Sequence, residues 1–338
     1  MRYLDTAQDR EADVGPRPLV VVLGSSGFIG SAVTTELAEL PVRLRLVSRG
    51  KSAVPEDPVA EVEAYRADLS QPGRAAEAVA GADTVVHLAS GIGGRGTWRE
   101  ADERSERFNV DVAREMVGAL DRAGVGHRPP AVVFTSTIQA GEEGASVSGS
   151  YAAQKLAAER ILLAAHAEGR INATVLRLCT VYGRSPLTGS TGLGVLAAMV
   201  DRALAGEPLT IWHDGSVERD LLEVSDAAAA VVAAVRHKDR LGGDSWVVAT
   251  GHRHRLDWLF GTIADLVAER TGRDPVPVVS SAPPENAGTG DFRTPLLDPS
   301  GFAAATGWHP KVPLREGMAA VVDALSRQGP DPTPADRV

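Results

Sequence analysis

Tyr151 and Lys155 stand four residues apart in Ser150-Tyr-Ala-Ala-Gln-Lys155. On a helix, positions i and i+4 share one face, so the phenol and the ammonium can reach one site. A tyrosine near its unperturbed pKa of about 10 is a poor proton carrier at neutral pH. A cation beside it is expected to stabilise the phenolate and bring the group towards working pH. So short a pattern recurs by chance, and alone it reads more simply as a half-buried tyrosine and an exposed lysine on an amphipathic helix. What changes the reading lies upstream. Gly24-Ser-Ser-Gly27-Phe-Ile-Gly30 precedes the pair, and in this order the two motifs describe a nicotinamide enzyme whose acid is a tyrosine.

The glycine turn has the context that the chemistry requires. Leu19-Val-Val-Val-Leu23 is a continuous apolar run, as expected of a buried parallel strand, and an amphipathic helix follows from about Phe28 to Leu40. Glycines there permit a tight turn, close approach of the backbone to a pyrophosphate and close helix–strand packing. The helix start offers free N–H groups to phosphates. The second strand ends at Ser48-Arg49-Gly50-Lys51, where an NAD enzyme usually carries an acid for the ribose 2′-hydroxyl. Arg49 can instead pair with a 2′-phosphate and Ser48 can donate to it, which places NADPH ahead of NADH. Asp68, after the third strand, is positioned to accept from an adenine amino group or to cap a helix.

The elements around these residues alternate. Strands are expected at Val42–Ser48, Val62–Tyr65, Thr84–Leu88, Ala131–Thr135 and Ala173–Leu178. Helices are expected at Pro72–Ala80, Arg104–Ala123 and around Tyr151. The alternation implies an α/β fold, a Rossmann-type doubly wound parallel sheet covered on both faces. Residues 1–17 read as a flexible leader, 18–181 as the dinucleotide-binding domain, 182–325 mainly as a smaller substrate-binding lobe, and 326–338 as a flexible tail. Within the lobe, helices are expected at 194–205 and 226–237, the region 222–250 is expected to return to the first domain, and 280–290 reads as a loop.

Composition narrows the classes. A formal charge of −9 argues against a general nucleic-acid binder. The single cysteine, Cys179, excludes an intrachain disulfide and sits in an apolar run as a small core residue. His252 and His254 flank an arginine in what reads as an exposed loop, and no Cys/His cluster has metal-ligand spacing. There is no apolar signal segment at the start and no run long enough to span a bilayer, so a cytoplasmic protein is expected.

Taken together the motifs resemble the extended short-chain dehydrogenase/reductase family, the NAD-dependent epimerase/dehydratase group, over about residues 19–325. Besides the glycine turn and the Tyr/Lys pair, the resemblance rests on Val85-Val-His-Leu-Ala89, Phe108-Asn-Val110, Phe134-Thr-Ser-Thr137, Leu176-Arg-Leu178, Val181-Tyr-Gly183, Arg219-Asp-Leu-Leu-Glu-Val224 with Asp226, and Gly307-Trp-His-Pro310. Within the family the chain is similar to actinomycete dTDP-4-keto-6-deoxyhexose ketoreductases of antibiotic deoxysugar biosynthesis. Pro41–Arg49, Ala203–Gly215 and Asn286–Arg293 carry that likeness.

The resemblance implies roles. Tyr151 is the acid/base, with Lys155 its partner and a ligand of the nicotinamide ribose. Thr137 is the hydroxyl that holds the substrate oxygen, Asn109 is the asparagine near the proton relay, and Arg219 binds the sugar nucleotide's pyrophosphate. Gly24, Ser26, Gly27, Phe28, Ile29, Gly30, Ser48, Arg49, Asp68, Leu69, Leu88, Ala89 and Lys155 line NADP. A homodimer is the family expectation. Simpler readings stay open: Thr137 or Ser136 ends a strand, Asn109 bonds only to backbone, and Arg219 pairs with Asp220.

The chain departs from the family at one point. Where the family reads Ser/Thr-x-x-Val-Tyr-Gly, this chain reads Thr137-Ile-Gln-Ala-Gly141, one residue shorter and without the tyrosine. Counting from the strand selects Thr137, counting back from the glycine selects Ser136, and the strand count is preferred because strands hold register. Ile138 and Gln139 stand where the family's dehydratases carry two carboxylates, and neither exchanges protons, which argues against dehydration. The resemblance then implies NADPH-dependent reduction of the 4-keto group of a dTDP-4-keto-6-deoxyhexose. A 4-epimerase with retained NAD, a reductase of a steroid or flavonoid ketone, and a non-enzymatic NAD(P)-binding sensor are the alternatives. Arg49 argues against the epimerase and the intact Tyr/Lys pair against the sensor.

Overall fold

The computed structural model describes residues 17–91, 103–123, 128–141, 151–192, 194–212, 214–283 and 293–328. The leader up to residue 16, the chain from 329, and most of the 280–290 loop lie outside them. Arg17, the last residue of the expected leader, is anchored: its guanidinium donates to the Val59 carbonyl at 2.9 Å.

Seven parallel strands form the central sheet in the order β3-β2-β1-β4-β5-β6-β11. They are β1 (Leu19–Leu23), β2 (Arg43–Ser48), β3 (Glu61–Arg66), β4 (Thr84–His87), β5 (Ala131–Thr137), β6 (Asn172–Leu178) and β11 (Ser245–Val248). The apolar β1 is buried on both faces because helices cover both sides. β3 lies at the sheet edge and alternates charged and half-buried residues, which suits an edge.

One face of the sheet packs on α1 (Phe28–Ala38) and α6 (Val224–Arg236). The other packs on α2 (Arg74–Ala78), α3 (Glu103–Ala123) and α4 (Tyr151–Ala167). A third apolar cluster joins α5 (Val195–Leu204), α8 (Leu256–Thr271) and α10 (Leu314–Gln328) with β8 (Leu209–Trp212). Three small strand pairs accompany it: β7 (Thr180–Tyr182) with β10 (Leu221–Glu223), β8 with β13 (Val278–Ser281), and β9 (Glu218–Arg219) with β12 (His254–Arg255). The short α7 (Lys238–Leu241) and α9 (Ser300–Thr306) complete the described elements.

Two expectations need correction here. Ser280 and Ser281 are strand residues of β13, not loop, because β8 supplies a parallel partner. His254 belongs to β12 and pairs with Arg219, and its ring stacks on Trp258 at 5.0 Å.

A buried carboxylate ties α6 to the segment between α9 and α10. Asp226, in the first turn of α6, accepts from the backbone N–H groups of Lys311 at 3.0 Å and Val312 at 2.9 Å. Its own carbonyl accepts from the Trp308 indole at 3.2 Å. Among the described residues no helix is long and apolar enough to cross a membrane.

Candidate active site

The strand order reverses between β1 and β4, where the crevice of an open α/β sheet lies. Gly24 closes β1 with φ +87°, a left-handed conformation that L side chains rarely adopt. A Cβ on it would lie 2.8 Å from the Ala89 backbone nitrogen, so the walls of the crevice meet here at backbone distance. A Cβ on Gly30 would strike the Gly24 carbonyl. Gly27 caps α1 with no side-chain hydrogen bond, and Ser26 and Gly27 are exposed. This is a glycine cradle at a helix start, and the residues fit a pyrophosphate. Phe28 and Ile29 are half-buried beside it. Across the crevice Leu88 donates its N–H to the Leu23 carbonyl at 3.0 Å.

At the tip of β2, Arg49 is exposed and its carbonyl accepts from Arg66 at 2.9 Å. Ser48 is buried, and its hydroxyl donates to the Gly50 carbonyl at 2.9 Å and meets the Ser52 hydroxyl at 3.0 Å. Ser52 in turn meets the Ser25 hydroxyl of the glycine turn at 2.8 Å. Three hydroxyls, those of Ser48, Ser52 and Ser25, thus fasten the loop that carries Arg49 to the glycine turn. Asp68 does not cap a helix, since the residue before α2 is Gly73. Its carboxylate accepts from the Ser70 hydroxyl at 2.8 Å and from the Ser70 N–H at 3.1 Å, which hold it below the usual carboxylate range, with a smaller push from Arg49. Leu69 is packed into the core beside it.

The chemistry-bearing residues converge where α4 crosses the ends of β4 and β5. The buried positions of α4 are Gln154, Lys155, Ala158, Glu159, Leu162 and Ala165, a stripe at helical spacing that faces the sheet. Lys155 lies in that stripe, 3% exposed, and its Nζ donates to the Thr135 carbonyl at 3.0 Å. The ammonium sits 4.6 Å from the Phe134 ring centre and 5.7 Å from that of Tyr151. Burial pushes Lys155 down to about 8, and the Glu159 carboxylate pushes it partly back up.

Tyr151 departs from expectation. Burial raises the phenol above its ordinary value, and the Ser90 side chain offsets this only in part. Desolvation of the phenolate outweighs any gain from the ammonium, which is committed to a carbonyl and to the Phe134 face. The side chain is therefore held as a neutral phenol.

The two strand-end hydroxyls differ in access. Ser136 Oγ is sealed from solvent and has no hydrogen-bond partner among the described residues. Thr137 is half-buried, and its hydroxyl accepts only a long contact from the Gln139 N–H at 3.4 Å. Asn109 bonds to more than backbone. It accepts from the Gly91 N–H at 2.8 Å and donates to the Gln154 side chain at 2.7 Å, tying the segment after β4 to α4. Arg219 does not pair with Asp220. Its Nη1 donates to the carbonyls of Glu218 at 2.8 Å and Arg293 at 2.7 Å. Asp220 accepts from Thr250 and Gly251 instead, and from the buried Cys179 thiol at 3.5 Å. The Asp220 carboxylate and burial together push that thiol well up, which makes it inert.

Some participants escaped the sequence reading. His87, directly before Leu88, is buried with neither ring nitrogen bonded among the described residues. Burial, and then Lys155, lower it to about 3, so it stays neutral beside the ammonium. Ser90, Gln154, Glu159 and Arg177 also belong to the site's surroundings. For Glu159 the signal was present, because it continues the i, i+4 spacing of Tyr151 and Lys155 by one more step. A further contact closes over the glycine turn: the Ser31 hydroxyl meets Ser185 Oγ at 2.7 Å, and a Cβ on Gly192 would lie 3.0 Å from the Phe28 ring.

The sequence profile of the NAD dependent epimerase/dehydratase family matches residues 20–249, and the chain belongs to that family. It is 29% identical over 332 residues to dTDP-6-deoxy-L-talose 4-dehydrogenase (NAD(P)(+)) of Kitasatospora kifunensis, covering 91% of this chain and 95% of the relative. Among solved structures it is similar to MoeE5 in complex with UDP-glucose and NAD, at 27% identity and a TM-score of 0.73, over 92% of this chain and 99% of that one. It is also similar to UDP-glucose 4-epimerase of Thermotoga maritima with UDP-glucose, at 25% identity and a TM-score of 0.73, with the same coverage.

Proposed function

We propose that this family member uses NADPH to reduce the 4-keto group of a dTDP-4-keto-6-deoxyhexose. The observation that carries the reading is the placing of Tyr151, a half-buried phenol whose ring centre lies 5.7 Å from the buried Lys155 ammonium, at the ends of β4 and β5. A neutral phenol is the donor that carbonyl reduction requires. The similarity to a dTDP-sugar 4-dehydrogenase supports the substrate class, since 4-dehydrogenation run backwards is 4-keto reduction.

When bound, the reduced nicotinamide supplies a hydride to carbon 4. The chain's own residues do the rest. Gly24, Gly27 and Gly30 admit the pyrophosphate, Arg49 pairs with the 2′-phosphate, and Asp68 faces the adenine. Tyr151 gives its proton to the carbonyl oxygen, Thr137 orients that oxygen, and Lys155 holds the ribose and stabilises the phenolate that remains. Asn109 acts through Gln154 and Gly91 by fixing α4 against the β4 loop. Arg219 grips the substrate's pyrophosphate. The accessible Thr137 hydroxyl, against the sealed Ser136, supports Thr137 in this role. Ile138 and Gln139 follow it, so no carboxylate is present there for dehydration.

One observation favours a second reading, a 4-epimerase with retained cofactor. The Ser31–Ser185 and Phe28–Gly192 contacts lie over the glycine turn and would slow cofactor exchange.

The test incubates the protein with NADPH and freshly made dTDP-4-keto-6-deoxyglucose, following absorbance and product stereochemistry. Stoichiometric oxidation is expected, and Tyr151→Phe is expected to bind cofactor but lose about 100-fold or more in turnover. Epimerisation without net NADPH consumption selects the second reading. Reduction of steroid or flavonoid ketones in place of the sugar defeats the substrate assignment.

A further inference from the structure

Beneath Lys155 lies a charge that the proposed reaction does not use. Glu159 follows Lys155 by one helical turn, so Tyr151, Lys155 and Glu159 form a line along one face of α4. Its side chain is 1% exposed. A carboxylate so placed needs a partner, and it has a forked one. Arg177 of β6 donates from Nε at 3.1 Å and 3.2 Å to the two carboxylate oxygens and from Nη2 at 2.6 Å to one of them.

The guanidinium is itself held in place. A Cβ on Gly141, which ends the short turn Ile138–Gly141 after β5, would lie 2.7 Å from Arg177 Nη1, so the glycine leaves the room the arginine occupies. The fork therefore fits between α4 and the turn that follows Thr137.

Lys155 needs such a counter-charge. Its other described neighbours are poor ones: the Thr135 carbonyl and Phe134 ring on β5, the neutral His87 on β4 and the neutral Tyr151 on its own helix. Arg177, on β6, is of the same sign as the ammonium. Among the described charged groups around Lys155, Glu159 is the one that opposes the cost of burial.

We propose that Glu159, clamped by Arg177, is a positioning residue that keeps the Lys155 ammonium charged in its buried place beside Tyr151. The proposal deepens the reading of Lys155 as the partner of Tyr151 and rests on it, but not on the identity of the substrate. It also gives the Arg177 fork a purpose beyond stability, for an ion pair with one fully buried and one partly buried member contributes little net stability over apolar side chains of the same volume.

The experiment reads Lys155 directly. The sequence holds four lysines, Lys51, Lys155, Lys238 and Lys311, so protein labelled with 13C at the lysine Cε gives few signals. The Lys155 signal is assigned as the one missing from Lys155→Met. Titration of the full chain without cofactor or substrate is expected to place the native midpoint near 8. In Glu159→Gln the midpoint is expected to fall by about one pH unit or more, the usual effect of an opposite charge at close range. A folded Glu159→Gln protein with an unmoved Lys155 midpoint overturns the proposal.

Removing one partner of a buried pair can unfold a protein, so a second variant replaces both, Glu159→Leu with Arg177→Leu, leaving neither member of the pair behind without its partner. If the pair were merely structural, this variant would fold and Lys155 would titrate as in the native chain, which again overturns the proposal. A lowered midpoint in the double variant supports it. Because no substrate enters the measurement, failure of the ketoreductase assay and failure of this proposal are separate results.

Discussion

Replacing Lys155 by methionine should make the protein more stable and useless. The ammonium is 3% exposed, and burial lowers it from 10.5 to about 8. At about 1.4 kcal/mol per pH unit, this depression sets roughly 3 kcal/mol against the charged form in the folded state. Methionine has nearly the same length and no charge to desolvate. It gives up the bond to the Thr135 carbonyl, at a cost of about 1 kcal/mol. The net expectation is a gain of roughly 2 kcal/mol near neutral pH, or roughly 3 °C in melting temperature for a chain of this size.

The pH dependence follows from the direction of the shift. The folded-state value lies below the unfolded one, so the lysine's unfavourable contribution is complete below about 8, fades as pH rises and is gone above the unfolded value of 10.5. The advantage of Lys155→Met over the native chain should fade over that same window. Urea unfolding of both proteins between about pH 7 and 10.5 measures it as a difference, in which other titrating groups cancel. A Met variant less stable than the native chain at neutral pH, or a difference that does not change with pH, would refute the reasoning. Such a result would mean that the ammonium is better compensated than its surroundings suggest. Loss of activity together with gained stability would mark Lys155 as a residue kept for chemistry at the expense of the fold.

Three further outcomes are expected. Thr137→Val should lower turnover far more than Ser136→Ala, because the Ser136 hydroxyl is sealed from solvent while Thr137 is half-exposed; the opposite ranking in steady-state assays would move the substrate oxygen to Ser136. Arg49→Ala should weaken NADPH while leaving NADH nearly unchanged in fluorescence titrations, since only the 2′-phosphate offers charge-assisted bonds; equal native affinity for both cofactors would remove the basis for that choice. Gly24→Ala should cost about 1–3 kcal/mol in denaturant unfolding and abolish binding of either cofactor, because φ is +87° and the new Cβ would press on the Ala89 backbone at 2.8 Å; a stable variant that binds normally would show that the cradle is not the cofactor site.

Six of the seven strands of the central sheet were legible because they announce themselves locally, while β11 (Ser245–Val248) was not expected as a strand. Leu19–Leu23 is a short apolar run, and it and Thr84–His87 are buried at every position. The second lobe was not legible in the same way. Its pairs β7–β10, β9–β12 and β8–β13 contain strands of two to four residues, too short to show a period. Their partners are remote: Val278 pairs with Leu209, and Lys311 finds Asp226. Such contacts are set by tertiary packing, which local propensity does not encode.

The site divides along the same line. Residue types and spacings located Tyr151, Lys155 and the glycine turn, because those features are local. The state of the groups depends on what surrounds them, and there the sequence misled. A lysine four residues from a tyrosine suggests an activated phenolate, yet the folded chain half-buries the tyrosine, buries the lysine and spends the ammonium on the Thr135 carbonyl and the Phe134 ring. Burial then pushes the phenol up and the ammonium down, so each group moves towards its neutral form. A neutral phenol suits proton donation, but a neutral lysine would not suit the ribose or the phenolate left behind. The fold answers the second problem with Glu159, one turn further along the same helix, and holds Glu159 with an arginine 18 residues away in the chain. The spacing rule that found the Tyr151/Lys155 pair thus needed one more turn of helix, and a strand that no local pattern connects to it, to explain how the pair would work in the proposed reaction.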